Sequence, residues 1–212
     1  MWRAFRRPSS VIALGTLLTA GFFCGVLFWG GFHWAIELSN TETFCLSCHE
    51  MRDNPHKEMQ GTIHVSNRTG IEVICSDCHV PKEWVHKIPT KIWATKDLLH
   101  HIAGSIPDAE AFEAQRLDHA LTVWRKMKAT DSRECRSCHS AVWKDMSKQW
   151  GGAQRNHELA TENGNLTCID CHQGIAHQLP KGFERPTPEQ LVQDPSAWLR
   201  EMEKLAADAG GS

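Results

Sequence analysis

The pentapeptide CLSCH at residues 45–49 is the most informative stretch of this chain, because its pattern, C-x-x-C-H, occurs three more times. The other copies are CSDCH at 75–79, CRSCH at 135–139 and CIDCH at 168–172. Two thiols at this spacing can bond the two vinyl groups of one porphyrin, and the adjoining histidine can then reach its iron. The pattern predicts four covalently attached c-type haems. The cysteines that would carry them are Cys45, Cys48, Cys75, Cys78, Cys135, Cys138, Cys168 and Cys171.

Two other kinds of site use paired cysteines. Zinc ribbons contain C-x-x-C pairs but need no histidine after each pair. A thioredoxin-type dithiol needs a strand and a helix around it, and the sequence offers no such context. Because all four copies end in histidine and together use eight of the nine cysteines, the pattern favours haem over both.

The spacing of the motifs indicates how the haems are grouped. Successive copies begin 30, 60 and 33 residues apart, which predicts two pairs of haems, one in each half of the chain. In so small a domain the porphyrins would lie nearly in contact and would replace much of the apolar core. The expected fold class is mostly α, with a single N-terminal transmembrane helix and a small haem-packed multihaem cytochrome c domain.

Charge is unevenly distributed along the 212 residues. The formal net charge of -2 argues against a nucleic-acid-binding protein. Arg3, Arg6 and Arg7 precede the first apolar run without any acidic residue, so the remainder carries 20 basic and 25 acidic residues. An acidic domain of this kind can attract a partner that has a basic docking patch.

The N-terminal apolar run predicts a membrane anchor over residues 9–36. Residues 11–32 contain no charged side chain, and as a helix they would be about 33 Å long, enough for a hydrocarbon core of about 30 Å. A cleaved signal peptide is the alternative, but its apolar region would be only ~7–15 residues. The arginines place residues 1–8 in the cytoplasm, and the domain at 37–182 then lies outside. Gly21 and Gly25 form a G-x-x-x-G pair that could make the anchor a homo-oligomer contact or could be ordinary filler.

Histidine is in surplus over the four motifs, since the chain has thirteen. His64, His157 and His177 lie near motifs and are candidate second ligands to iron. Met51 follows His49 by two residues and is a candidate axial ligand or an ordinary apolar side chain; methionine ligation would raise the haem potential. The six others are expected at surfaces, interfaces or proton-handling positions: His33, His56, His86, His100, His101 and His119.

Two further segments give helix signals. Apolar residues recur at helical spacing from Ala109 to Lys128, with Asp108 as a candidate N-cap. The tail at 183–212 contains a candidate short helix from Pro195 to Ala207. That helix could cover the domain or dock a partner, and the sequence leaves both open.

Taken together, these residues resemble the NapC/NirT family of membrane-anchored tetrahaem cytochromes, which includes NrfH-like proteins. The resemblance covers roughly residues 9–182. The segments that carry it are FWGGF at 28–32, TF at 43–44, CHEM at 48–51, CSDCHVP at 75–81, Lys91, KD at 96–97, FEAQR at 112–116, WRKM at 124–127 and CIDCHQGIAH at 168–177.

The resemblance implies a ligand for each iron. It favours Met51 at the first haem, whereas the motif chemistry assigns His49, and the sequence leaves this open. The remaining ligands that it implies are His79 with His177 at the second haem, His139 with His64 at the third and His172 with His157 at the fourth.

The family oxidises membrane quinol, menaquinol or ubiquinol, and passes electrons to a periplasmic reductase, such as one for nitrate or nitrite, or to a soluble cytochrome. Lys91 and Asp97 fall at the matching quinol site, where lysine can bond the quinol oxygen and a carboxylate can take a proton. The alternative is a plain basic helix face. Two other functions stay open: a terminal reductase with an open haem, and a relay or anchor subunit fed by another protein.

Overall fold

The computed structural model describes residues 13–140 and 145–210. Within these residues the fold is helical and contains no strand, which confirms the expected mostly α class. A single 3₁₀ turn, Met146–Lys148, precedes α9. The helices are α1 (Leu14–Leu38), α2 (Glu42–Cys45), α3 (His49–Asp53), α4 (Pro55–Met59), α5 (Cys75–His79), α6 (Trp84–Ile102), α7 (Ala109–Ala129), α8 (Arg133–Arg136), α9 (Gly151–Asn163), α10 (Cys168–Cys171), α11 (Pro188–Gln193) and α12 (Ala197–Gly210).

Helix α1 is the candidate membrane span. Its 25 residues contain no buried side chain, and in the described part of the chain it is the one helix long and apolar enough to cross a bilayer. It continues two residues beyond the predicted end at 36, to Leu38. The predicted residues 9–12, like the N-terminal segment 1–8, lie outside the described residues.

An aromatic cluster joins the end of α1 to the start of α6. The ring of Trp84 lies 4.4 Å from that of His33, 6.3 Å from Phe32 and 6.4 Å from Trp29, measured between centroids. Aromatic residues concentrate where membrane helices meet the interface. The contact therefore places the beginning of α6 beside the outer end of the anchor.

The second and fourth C-x-x-C-H motifs form short helical turns, α5 and α10, whereas the first and third begin in the last residues of α2 and α8 and continue as turns. In all four motifs the third residue makes a local hydrogen bond. Ser47 and Ser137 donate their hydroxyl groups to the carbonyl oxygens three residues earlier, at 2.7 Å in both cases. Asp77 and Asp170 instead accept from the backbone N–H at the N-cap, at 3.1 and 2.9 Å. Such turns hold the cysteines and the histidine of a motif in one local geometry.

The apolar core lies in the second half of the domain. Leu121 and Trp124 of α7 pack against Leu191 of α11 and against Trp198 and Met202 of α12, all nearly inaccessible to solvent. Among the described residues before α7, Met59 and Pro81 are the buried apolar side chains. The described part of the tail therefore packs into the core through α11 and α12 and covers the domain.

The predicted helix near the centre of the chain is confirmed as α7. It begins after Asp108, whose carboxylate accepts from Ala111 N at 2.8 Å. After α7 the chain turns sharply, with left-handed φ values of 51° at Asp131 and 47° at Ser132. The buried Ser132 hydroxyl oxygen then accepts from Thr167 Oγ1 and from Ile169 N. These bonds join the segment just before the third motif to the fourth motif.

Candidate multihaem site

The four motifs lie beside one another in chain order. The thiol of Cys45 lies close enough to that of Cys75 for each to shift the pKa of the other, and the same holds for Cys135 and Cys168. Helix α5 of the second motif also contacts α8 of the third. The paired arrangement agrees with the motif spacing, and the whole set forms one continuous row.

Three of the motif histidines face a second imidazole. An imidazole nitrogen bonds a metal at about 2 Å, and its ring centroid lies roughly 1 Å further, so two rings that share one metal stand about 6 Å apart. The pairs fit this distance, and the partners are the ones that the resemblance implies. The centroid separations are 6.2 Å for His79 and His177, 6.3 Å for His139 and His64, and 6.2 Å for His172 and His157.

Burial keeps most of these imidazoles uncharged. It lowers the pKa of His79 to about 4 and also lowers the pKa of His64, His157, His172 and His177. Neutral imidazole is the form that binds a metal. The residues present therefore fit bis-histidine haem iron at three positions.

Two of the distal histidines are held by named contacts. His157 Nδ1 lies 2.5 Å from Gln149 Oε1. The loop that carries His177 is clamped by a buried ion pair, since Arg116 Nη1 donates both to Glu58 Oε2 at 3.1 Å and to the backbone oxygen of Gln178 at 3.2 Å. Glu58 Oε2 in turn accepts from Gln178 N at 2.9 Å.

The surroundings of the first motif differ. Met51 is about half exposed, at 41%. His49 Nε2 lies 3.6 Å from Glu50 Oε1, and that buried carboxylate also contacts His101 Nδ1 at 2.7 Å. His101 lies near the end of α6, and the first motif begins seven residues after α1 ends at Leu38.

Lys91 also belongs to this region. Its ammonium donates to the backbone oxygen of Ser39, just past α1, at 2.7 Å, and burial lowers its pKa. One turn earlier, Lys87 Nζ lies 2.8 Å from Glu37 Oε1. The charge of Lys91 also acts on the Cys45 thiol of the first motif. This predicted site residue therefore lies where the anchor, α6 and the first motif meet.

Asp97 is exposed and does not lie beside Lys91. Six residues separate them, which puts their side chains on faces of α6 roughly 120° apart. Asp97 instead lies one turn before His101, on the same face, and its charge acts on His119. The structure places the two predicted quinol residues on separate faces of the helix that borders the first motif.

Several residues of the site carried no clear sequence signal. Their roles depend on contacts between segments far apart in the chain, which no local pattern reports. Glu50 could have been suspected from its position between two candidate ligands, and Arg116 from its place in the FEAQR segment. The residues that sequence reasoning missed are Glu50, Glu58, His101, Arg116, Gln149 and Asp170.

A candidate membrane span, a row of four C-x-x-C-H turns and imidazole pairs at the spacing of a shared metal define a membrane-anchored multihaem c-type cytochrome. Comparison with known proteins gives the family: residues 7–182 match the model for the N-terminal region of the NapC/NirT cytochrome c family. The chain belongs to that family.

The chain is similar to named relatives over most of its length. It is 50% identical over 202 residues to the cytochrome c-type protein NapC of Paracoccus pantotrophus, covering 93% of this chain and 85% of the relative. It is 54% identical over 180 residues to the denitrification system component NirT of Stutzerimonas stutzeri, covering 84% and 88%. A putative tetraheme cytochrome-c type protein of Allochromatium vinosum is 43% identical over 171 residues, covering 81% and 90%. No solved structure matches the chain.

Proposed function

We propose that this protein oxidises membrane quinol and relays the electrons to a periplasmic reductase of the nitrate or nitrite type. The observation that carries the proposal is the position of Lys91, which donates to the backbone of Ser39 just past the anchor and whose charge acts on the Cys45 thiol of the first motif. The names NapC and NirT of similar proteins support a reductase partner of this kind. Four bound haems would supply one-electron carriers between quinol and that partner.

The chain's own residues would attach and ligate these groups. The eight motif cysteines would form the thioether bonds, and the three imidazole pairs would hold the second, third and fourth irons. At the first iron we assign Met51 rather than His49, because a carboxylate oxygen of Glu50 lies 3.6 Å from His49 Nε2, where the iron would have to be. A single protein ligand at that iron would leave it accessible to quinol.

Lys91 and Asp97 would handle the quinol. Oxidation of a quinol releases two protons with its two electrons, so groups that bond its oxygen and accept protons assist the reaction. Lys91 can donate a hydrogen bond to the quinol oxygen from the membrane side. Its lowered pKa favours the uncharged amine form of the side chain. Asp97 can accept a proton on the solvent side and is free of ion pairs within the described residues.

The location follows from the anchor and its flanking charges. Helix α1 would cross the bacterial cytoplasmic membrane once, with the arginines inside and the haem domain in the periplasm. Gly21 and Gly25 lie one turn apart on the exposed surface of α1, and no described residue approaches either of them. They remain a candidate contact between two copies of the anchor.

The direct test is anaerobic reduction of the purified, detergent-solubilised protein by quinol. We expect reduced menaquinol or ubiquinol analogues to reduce part of the haem within the mixing time of a manual experiment, and dithionite to reduce all of it. Mass spectrometry of the same sample should show four haems. Full reduction by dithionite with no reduction by either quinol would contradict the proposal and would favour a relay that another protein feeds.

A further inference from the structure

The histidine of the first motif is placed unlike its three counterparts. His49 Nε2, the nitrogen that would bind iron, lies 3.6 Å from Glu50 Oε1. In the described parts of the chain, no carboxylate oxygen comes within salt-bridge distance of His79, His139 or His172. Those three rings each face a second imidazole instead. His49 thus differs from the other three in having a carboxylate oxygen beside its Nε2.

The carboxylate of Glu50 is itself fixed in place. Glu50 is only 4% exposed, and both of its oxygens lie within hydrogen-bond distance of His101 Nδ1, at 2.7 and 2.9 Å. The rings of His49 and His101 stand 5.9 Å apart, close to the separation of the three metal-fitting pairs. Here Glu50 Oε1, which contacts both rings, occupies that space.

The local helix limits which side chain can reach an iron. His49 and Met51 are two residues apart on α3, so they project about 200° apart and cannot approach one metal from the same side. Whichever residue ligates the first iron, the other must point away from it. A contact that restrains His49 therefore selects Met51.

We propose that the Glu50–His101 pair is a positioning device that holds His49 away from the first haem iron and leaves the axial place to Met51. The proposal rests on the ligand set of the proposed function. His101 comes from α6, the helix that also carries Lys91, so the ligand choice at the first haem is tied to the helix that borders the quinol region. Neither Glu50 nor His101 touches the iron in this account.

The test is a spectroscopic comparison of purified variants with full haem content. Glu50→Ala and His101→Leu should each free His49, so that one haem loses its methionine-type near-infrared signal and its reduction potential falls, because histidine in place of methionine lowers the potential. The double variant with Glu50→Ala and His49→Leu should regain the methionine signal. His100→Leu is the matched control, since its ring contacts Ser105 on a different face of α6, and it should leave the spectrum unchanged.

Two results would overturn the proposal. One is an unchanged methionine signal in both Glu50→Ala and His101→Leu. The other is a lost signal that removal of His49 does not restore, which would make His101 a ligand itself. Failure of the underlying ligand set would be seen separately, since Met51→Leu in the native background would then leave the spectrum as it was. Quinol reduction is measured on the same samples and does not enter the spectral result.

Discussion

At the scale of single residues, the site is a set of imidazoles whose partners differ. His79, His139 and His172 each face one other histidine, and burial keeps the pKa of His79 and His172 below the ordinary value. A neutral ring at this spacing is suited to an iron between the two. His49 faces a carboxylate, and this one difference distinguishes the first motif from the others.

Removal of a distal histidine should alter one haem only. We expect His64→Ala to convert one low-spin bis-histidine haem to a high-spin form, because its iron loses one axial ligand while the thioether bonds persist. Electron paramagnetic resonance of the oxidised protein, with mass spectrometry to confirm four haems, measures this. His86→Ala, at an exposed position on α6, serves as the control. An unchanged low-spin signal in His64→Ala would remove this residue from the ligand set.

At the scale of elements, helices α4 and α7 hold the loop of His177 through a buried ion pair. Arg116 of α7 is 7% exposed and lies between Glu58 of α4 and Glu113 of its own helix. The same groups bond the backbone of Gln178 on both sides. The second haem's candidate ligand is therefore positioned by two helices that carry no part of the second motif.

Loss of this ion pair should destabilise the domain. Arg116→Leu leaves the buried Glu58 carboxylate unpaired, a change that typically costs about 3–5 kcal/mol. The matched control is Arg125→Ala, whose pair with Glu203 is exposed and is expected to contribute about 0–1 kcal/mol. The midpoints of denaturant unfolding compare the two variants, and equal shifts would show that the clamp is not stabilising.

The C-terminal helix α12 completes the core around the fourth motif. Trp198 is 4% exposed, packs its ring against Trp124 and donates from Nε1 to Asp170 Oδ1 at 3.1 Å. Asp170, which is fully buried, also accepts from Lys128 at 2.6 Å and caps its own turn. A tail helix that closes the core in this way is an integral part of the haem domain.

Truncation of that tryptophan tests the packing of the tail. Trp198→Ala should lower the free energy of unfolding by about 3–5 kcal/mol, through the lost apolar contacts and the cavity left behind. Trp150→Ala removes an equally large side chain that is 77% exposed and should change stability by less than about 0.5 kcal/mol. Thermal unfolding followed by circular dichroism gives the comparison. If the tail does not stabilise the domain, Trp198→Ala and Trp150→Ala would both lower the free energy of unfolding by similar, small amounts.

At the scale of the whole molecule, the features that local sequence patterns encode, such as motifs and helices, could be predicted from the sequence. The C-x-x-C-H spacing identified the motifs and their grouping in pairs, the charge-free run identified α1, and Asp108 marked the start of α7. Contacts across long stretches of chain were not predictable, because they depend on how helices dock. The Glu50–His101 contact joins residues 51 apart and the Arg116–Glu58 pair joins residues 58 apart.

The molecule as a whole then consists of an anchor, a first motif beside its outer end and a row of three further motifs that ends in the core of the second half. Lys91 is the residue that ties the first two parts together, since its ammonium bonds the chain at Ser39 and its charge acts on the first motif. The central claim is that electrons enter there, from a quinol in the membrane.

The rate of reduction by a quinol analogue, compared between Lys91→Ala and Lys96→Ala, tests this claim most directly. Both variants remove one lysine of α6, but Lys96 lies over the exposed ring of Trp93 and has no contact with Ser39. We expect Lys91→Ala to be reduced about 100-fold more slowly than the native protein, since loss of a positioned proton-handling group costs about this factor. Lys96→Ala should keep the native rate, and dithionite should reduce all forms fully. Equal rates for the two variants would contradict the account and would move the point where electrons enter away from Lys91.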